Sequence, residues 1–157
     1  MMTLAAAREV VEDLYLNFVH ALDDDRLESW PELFTPTCLY RVMSAENAAR
    51  GFPLAVIRAE SRSMLRDRVT ALRTTAMYIP RTVRHLVTNV RVLSVGMSTI
   101  TAKARFAVFQ TLPDELTAVF ATGVYHDIID VDEGRWRFRD KLCVHDGLVP
   151  NSLVIPL

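Results

Sequence analysis

Between Leu4 and Asp24 the apolar residues Val11, Leu14, Tyr15, Phe18 and Leu22 recur at steps of three and four. This spacing predicts a long helix with one apolar stripe. Asp23, Asp24 and Asp25 end it. A short second helix is predicted around Leu27, Trp30, Leu33 and Phe34. Both Asp25-x-x-Glu28 and Ser29-x-x-Glu32 resemble a capping box there, and Pro31 suits a first turn. Thr35-Pro36-Thr37 is expected to stop that helix, and Cys38 to Met43 reads as a short strand. A third helix is predicted from Ser61 to Arg73, with Leu65, Val69 and Leu72 on one face.

After Pro80 the period changes from helical to two. Residues 83–94, 98–111, 116–131 and 135–146 read as four long strands, separated by turns at Gly96-Met97, Pro113-Asp114 and Asp132-Glu133-Gly134. Short turns between long strands predict an antiparallel meander. On the last strand Trp136, Phe138, Asp140, Leu142 and Val144 are expected on one face, and Arg135, Arg137, Arg139 and Lys141 on the other. Helices feeding a strongly curved antiparallel sheet give an α+β fold, with the helices packed on the concave face and the hollow of a cone between them. No linker or repeat divides the sequence, so one domain over residues 1–157 is expected.

Composition narrows the function. The chain is 50% apolar and 24% charged, enough for one ordinary core. Eighteen Lys and Arg against nineteen Asp and Glu leave a net charge of −1, which argues against a dedicated nucleic-acid binder. No run approaches the ~18 apolar residues of a membrane helix. Residues 1–11 lack the pattern of a secretory leader, so the cytoplasm is the expected location. Cys38 and Cys143 lie in apolar, strand-like runs with no C-x-x-C pairing and read as buried reduced thiols.

Candidate chemistry is sparse. His20, His85, His126 and His145 form no metal-binding spacing, and no Cys-x-His…Cys-x-x-His pair could hold a Rieske cluster. There is no G-x-S-x-G and no glycine-rich phosphate loop. Proton transfer in a cone pocket is the enzymatic alternative, with Asp24 or Asp25, Tyr40, His85 and Asp140 as candidates. Against it stand plain structural roles: Asp140 pairing with an arginine at the sheet rim, and His85 satisfied within its strand. Nearly all the basic residues are arginine, crowded through the middle of the chain, a composition that favours protein interfaces. The segment Val149–Leu157 is apolar to its last residue, and is expected to pack on its own sheet or into a neighbour.

Four segments carry a family resemblance. They are Trp30-Pro-Glu-Leu-Phe-Thr35 ahead of Tyr40-Arg41, Met64-Leu-Arg-Asp-Arg-Val-Thr-Ala-Leu-Arg73, Arg81-Thr-Val-Arg-His-Leu-Val-Thr-Asn-Val90, and Phe120-Ala-Thr-Gly-Val-Tyr-His-Asp127. In this order they resemble the small (beta) subunit of aromatic-ring-hydroxylating dioxygenases, in the branch acting on carboxylated aromatics. The resemblance implies the cone-shaped nuclear-transport-factor-2-like (cystatin-like) fold. It also implies assembly as a homotrimer with large (alpha) subunits in a hexamer of three and three. The Rieske 2Fe–2S cluster and the mononuclear iron are then expected in the alpha subunit, with NAD(P)H electrons arriving through a separate reductase. No catalytic, cofactor-binding or metal residue is carried over to this chain. Trp30, His85 and Asn89 become fold or interface residues, and Arg62, Arg66, Arg68, Arg73, Arg84 and Leu157 the expected interface set. A stand-alone isomerase or dehydratase working in the cone pocket is the competing reading.

Overall fold

The first helix begins where a threonine can cap it. In the computed structural model, which describes residues 2–147 and 153–157, the Thr3 hydroxyl accepts the Ala6 N–H at 3.2 Å and opens α1 (Leu4–Asp23). The predicted second helix is instead two 3₁₀ turns, Leu27–Ser29 and Pro31–Leu33. Pro31 lacks the N–H that a continuous helix would require of it. β1 (Phe34–Ser44) follows and runs through Pro36, which was expected to precede the strand. Its pairing is irregular between Phe34 and Leu39, where the proline cannot donate. A five-residue helix α2 (Ala45–Ala49) and a short β2 (Ile57–Ala59) come next, neither visible in the periodicity. Ser61 caps α3 (Arg62–Thr74), accepting the Met64 N–H at 3.2 Å.

Four strands complete the chain: β3 (Thr82–Val95), β4 (Thr99–Thr111), β5 (Ala118–Asp132) and β6 (Arg135–His145). The turn into β6 has positive φ at both Glu133 and Gly134, the backbone a tight hairpin needs. The sheet order is β2-β1-β6-β5-β4-β3. The predicted meander is present, but the sheet is mixed rather than wholly antiparallel, because β1 lies parallel to β6. A parallel neighbour needs a long crossover, and residues 45–134 supply it. α1 packs against β3 and β6, and α3 against β1, on the concave face.

A bulge corrects the expected faces of β6. Phe138 pairs with Ile129 and Asp140 with Ile128, so Arg139 is an extra residue on that strand. Every side chain beyond it changes face. Lys141 and Cys143 therefore turn inward with Phe138, and Asp140, Leu142 and Val144 turn outward.

The concave core is aromatic: Phe18, Trp30, Phe34, Tyr40, Tyr125 and Phe138 are fully buried, with Phe106 stacked 4.4 Å from Tyr125. Gly123 makes room for that stack. A Cβ there would lie 2.0 Å from the Val144 carbonyl and 2.8 Å from the Phe106 ring. Gly123→Ala is therefore expected to destabilise the chain by about 3 kcal/mol or more, read as the shift in its urea midpoint. A change below 0.5 kcal/mol, about the noise of a surface substitution, would show that β5 and β6 slide apart freely here.

Candidate functional site

Three elements bring a polar cluster into the floor of the cone. Tyr15 comes from α1, Asp127 from the inward face of β5, and Lys141 from β6 beyond the bulge. The Tyr15 hydroxyl donates to Asp127 Oδ2 at 2.6 Å, and Lys141 Nζ donates to the same oxygen at 3.2 Å. Both charged side chains are wholly buried. The Lys141 ammonium stands 3.5 Å from the Tyr125 ring centroid and within 5 Å of those of Phe18, Phe138 and Tyr15. Four aromatic faces thus replace much of its water. Burial pushes the Asp127 carboxyl above the ordinary range, with Lys141 and the Tyr15 hydrogen bond pulling it back. Burial, with Asp127 beside it, also drives the Tyr15 hydroxyl upward. Asp127 Oδ1 and the Tyr125 hydroxyl have no protein partner among the described residues.

A second pair closes the mouth. Asp23, at the end of α1, accepts the His85 backbone N–H at 2.8 Å, and its other oxygen lies 2.5 Å from His85 Nδ1. His85 Nε2 is 3.1 Å from the Pro156 carbonyl. A carbonyl only accepts, so Nε2 carries the hydrogen and offers the hollow no basic nitrogen. The same segment fills the rest of the space. Leu157 is wholly buried; its N–H donates to the Tyr40 hydroxyl and its carbonyl accepts from it, both at 3.1 Å. The Cys143 thiol donates to that carbonyl at 3.2 Å. Arg68 holds the Leu153 and Val154 carbonyls at 3.2 and 3.3 Å. What remains at this mouth is a cavity of about 10 Å³, at the lower limit for a single water. Two clefts of about 500 Å³ flank α1, one of them reaching Tyr15 and His85, and one of about 280 Å³ lies beside Asp23, Val83 and Ile155.

The other predicted residues are not gathered there. Asp24 pairs with Arg26, and Asp25 with Arg73. Asp140 faces outward and takes Arg41 at 2.9 and 3.0 Å, the structural role weighed for it. His126 is exposed on the outer face while His145 is turned inward. Among the described residues no three His, Cys, Asp or Glu side chains converge as metal ligands would.

Most of the arginines tie elements of this chain together. Arg62 holds the Phe34 carbonyl and Asp132, Arg66 takes Glu32, and Arg84 reaches the Asp23 carbonyl at the end of α1. Arg73 clamps both Asp25 and Glu28, holding the Glu28 carboxyl down to about 2. Leu157 packs on its own chain rather than standing proud of it; the Val149–Ser152 part of that apolar run lies outside the described residues. Sequence reasoning missed Tyr15, Asp127 and Lys141. The alternation Ala121, Gly123, Tyr125, Asp127, Ile129 was a legible signal for one of them.

A helix-lined cone with its hollow filled by its own side chains defines a class: α+β proteins of nuclear-transport-factor-2-like shape. Comparison with known proteins makes this specific. The family model of the SnoaL-like domain matches residues 3–141. The anthranilate 1,2-dioxygenase small subunit of Burkholderia cepacia is 32% identical over 141 residues, covering 89% of this chain and 88% of that one. A beta subunit of the terminal oxygenase component of terephthalate 1,2-dioxygenase from a Comamonas species is also 32% identical, covering 89% and 92%. A crystal structure from Novosphingobium aromaticivorans, of a beta subunit assigned to an aromatic-ring-hydroxylating dioxygenase, superposes with a TM-score of 0.89. It is 36% identical and covers 98% of both chains. The chain belongs to the SnoaL-like family, within the small subunits of aromatic-ring-hydroxylating dioxygenases.

Proposed function

We propose that the chain is the structural, non-catalytic small subunit of a Rieske-type aromatic-ring-hydroxylating oxygenase, a single domain that organises alpha subunits around it. One observation carries this reading: the groups that could do chemistry in the cone are occupied by one another and by residues 153–157. His85 Nε2 is spent on a carbonyl, Asp127 on Tyr15 and Lys141, and the cavity beside His85 and Leu157 holds about 10 Å³. Proton-transfer catalysis needs a group within reach of a bound substrate.

Aromatic oxidation then takes place in the large subunit, which would hold the 2Fe–2S cluster and the mononuclear iron and receive NAD(P)H electrons from a reductase. The assembly would be a hexamer of three and three in the cytoplasm. No helix among the described residues is long and apolar enough to cross a membrane. In this reading Arg66, Arg73 and Arg84 present the interface, while Arg62, Arg68 and Leu157 fix the elements behind it.

Purification of the tagged chain from its native host tests the reading. Recovery of a stoichiometric partner carrying a Rieske signature and a 2Fe–2S absorbance is expected. A chain that emerges alone and turns over a small hydrophobic ketone would replace this reading with the isomerase or dehydratase one.

A further inference from the structure

The outer face of the sheet carries charges that the fold does not use. Arg91 on β3 stands directly opposite Lys103 on β4, which stands opposite His126 on β5. One rung on, Arg105 shares the same face between Thr88 and Val124. Arg91, Lys103, Arg105 and His126 are all exposed. Side chains directly opposite in a sheet are about 5 Å apart, and like charges there are destabilising.

The contrast with the rest of the chain is sharp. Of the eighteen Lys and Arg, all but Arg91, Lys103, Arg105 and Arg135 make a hydrogen bond or ion pair among the described residues. The nearby acids are already taken, Asp130 by Arg139 and Asp140 by Arg41. Half-buried Val124, Ile128, Leu142 and Val144 continue the same face toward β6.

We propose that this face of β3–β5 is a docking surface for an acidic face of the large subunit, an inference that rests on the subunit reading above. Three adjacent unpaired cations state the charge of what covers them. A two-fold contact with a second copy would set the same cations against their own kind. The apolar neighbours suit a protein surface better than a polyanion, and the chain as a whole carries a net charge of −1.

The test uses the complex formed with the co-purifying large subunit. Lys103→Glu with Arg105→Glu is expected to weaken association at least tenfold at low salt, with the difference shrinking as salt rises. Arg91→Glu is expected to act in opposite directions on two readouts: it raises the thermal midpoint of the free chain by relieving the pair with Lys103, and it weakens the complex. An affinity unchanged by all three substitutions overturns the proposal. So does a labelled 20-nucleotide DNA probe that binds the wild-type chain and not the variants while the complex is unaffected, or a variant that changes only self-association. Failure of the wild-type chain to bring down any large subunit sinks the subunit reading together with this surface, whereas an intact wild-type complex with indifferent variants sinks the surface alone.

Discussion

Replacing Lys141 by methionine is expected to cost the chain about 3–5 kcal/mol of stability, although the apolar stem is kept. The loss comes from what is left behind. In the native chain the ammonium lies 3.2 Å from Asp127 Oδ2 inside four aromatic faces. Without it, a buried carboxylate keeps one hydrogen bond from Tyr15, and its other oxygen has no protein partner among the described residues. Lys141→Met combined with Asp127→Asn is expected to recover about 2 kcal/mol or more, because removing both charges is far less costly than stranding one. Urea denaturation of the two variants and the parent gives the cycle. A single variant within 1 kcal/mol of the parent, the level expected of an exposed ion pair, would mean that the pair is hydrated rather than enclosed.

The same pair sets the direction of a pH dependence. Burial raises the Asp127 carboxyl above its ordinary value of 3.8, so in the window between the two values the folded chain binds more protons than the unfolded one. Stability from this group is present below the ordinary carboxylate range and declines as pH rises toward the raised value. The decline steepens in Lys141→Met, which loses the attraction holding the value down, and disappears when Asp127 is asparagine.

Much of the fold was legible because its signals are local. The 3.6-residue stripe of α1, the serine cap of α3, and the Glu133-Gly134 turn each depend on neighbours in sequence. Non-local pairing decided the rest. The Arg139 bulge is set by β5 opposite, and it turned a strand that reads as one clean alternation into two half-strands of opposite phase. That single residue moved Lys141 from the expected charged surface into the core, and turned Asp140 outward to Arg41, the arginine pairing weighed for it. The parallel seat of β1 beside β6 follows from the crossover as a whole. The arginines carry a second role that composition does not show. Guanidinium groups also bridge elements of one chain, and the fold shows that Arg62, Arg66, Arg68 and Arg73 do so. The family resemblance was readable from short segments, since those segments carry core residues of the cone such as Trp30, Phe34, Tyr40, Leu65, Val83 and Tyr125.

Removing residues 153–157 is expected to destabilise the chain by at least about 3 kcal/mol, since burial of Leu157 alone contributes about 2–3 kcal/mol. Hydrogen bonds to Tyr40, His85 and Arg68 add to it. Thiol chemistry separates a lost plug from general unfolding. Burial pushes the Cys143 thiol up to about 12 and the Cys38 thiol up to about 11, so neither is a ready nucleophile at neutral pH. In the intact chain an aromatic disulfide reagent should label the two thiols only as fast as the chain unfolds. In the shortened chain Cys143, which donates to the Leu157 carbonyl, should become the faster of the two, while Cys38 on β1 keeps its protection. Equal acceleration of both would mean that the whole sheet has loosened, and no acceleration of Cys143 would mean that Leu157 does not cover it. If the shortened chain fails to fold, Tyr40→Phe carries the same question at a cost of about 1–3 kcal/mol, because it cuts both hydrogen bonds to Leu157 and leaves the ring in place. Either variant also bears on function: a structural subunit needs its hollow filled to hold a rigid face against its partner, so loosening the plug should weaken assembly without any substitution at the interface.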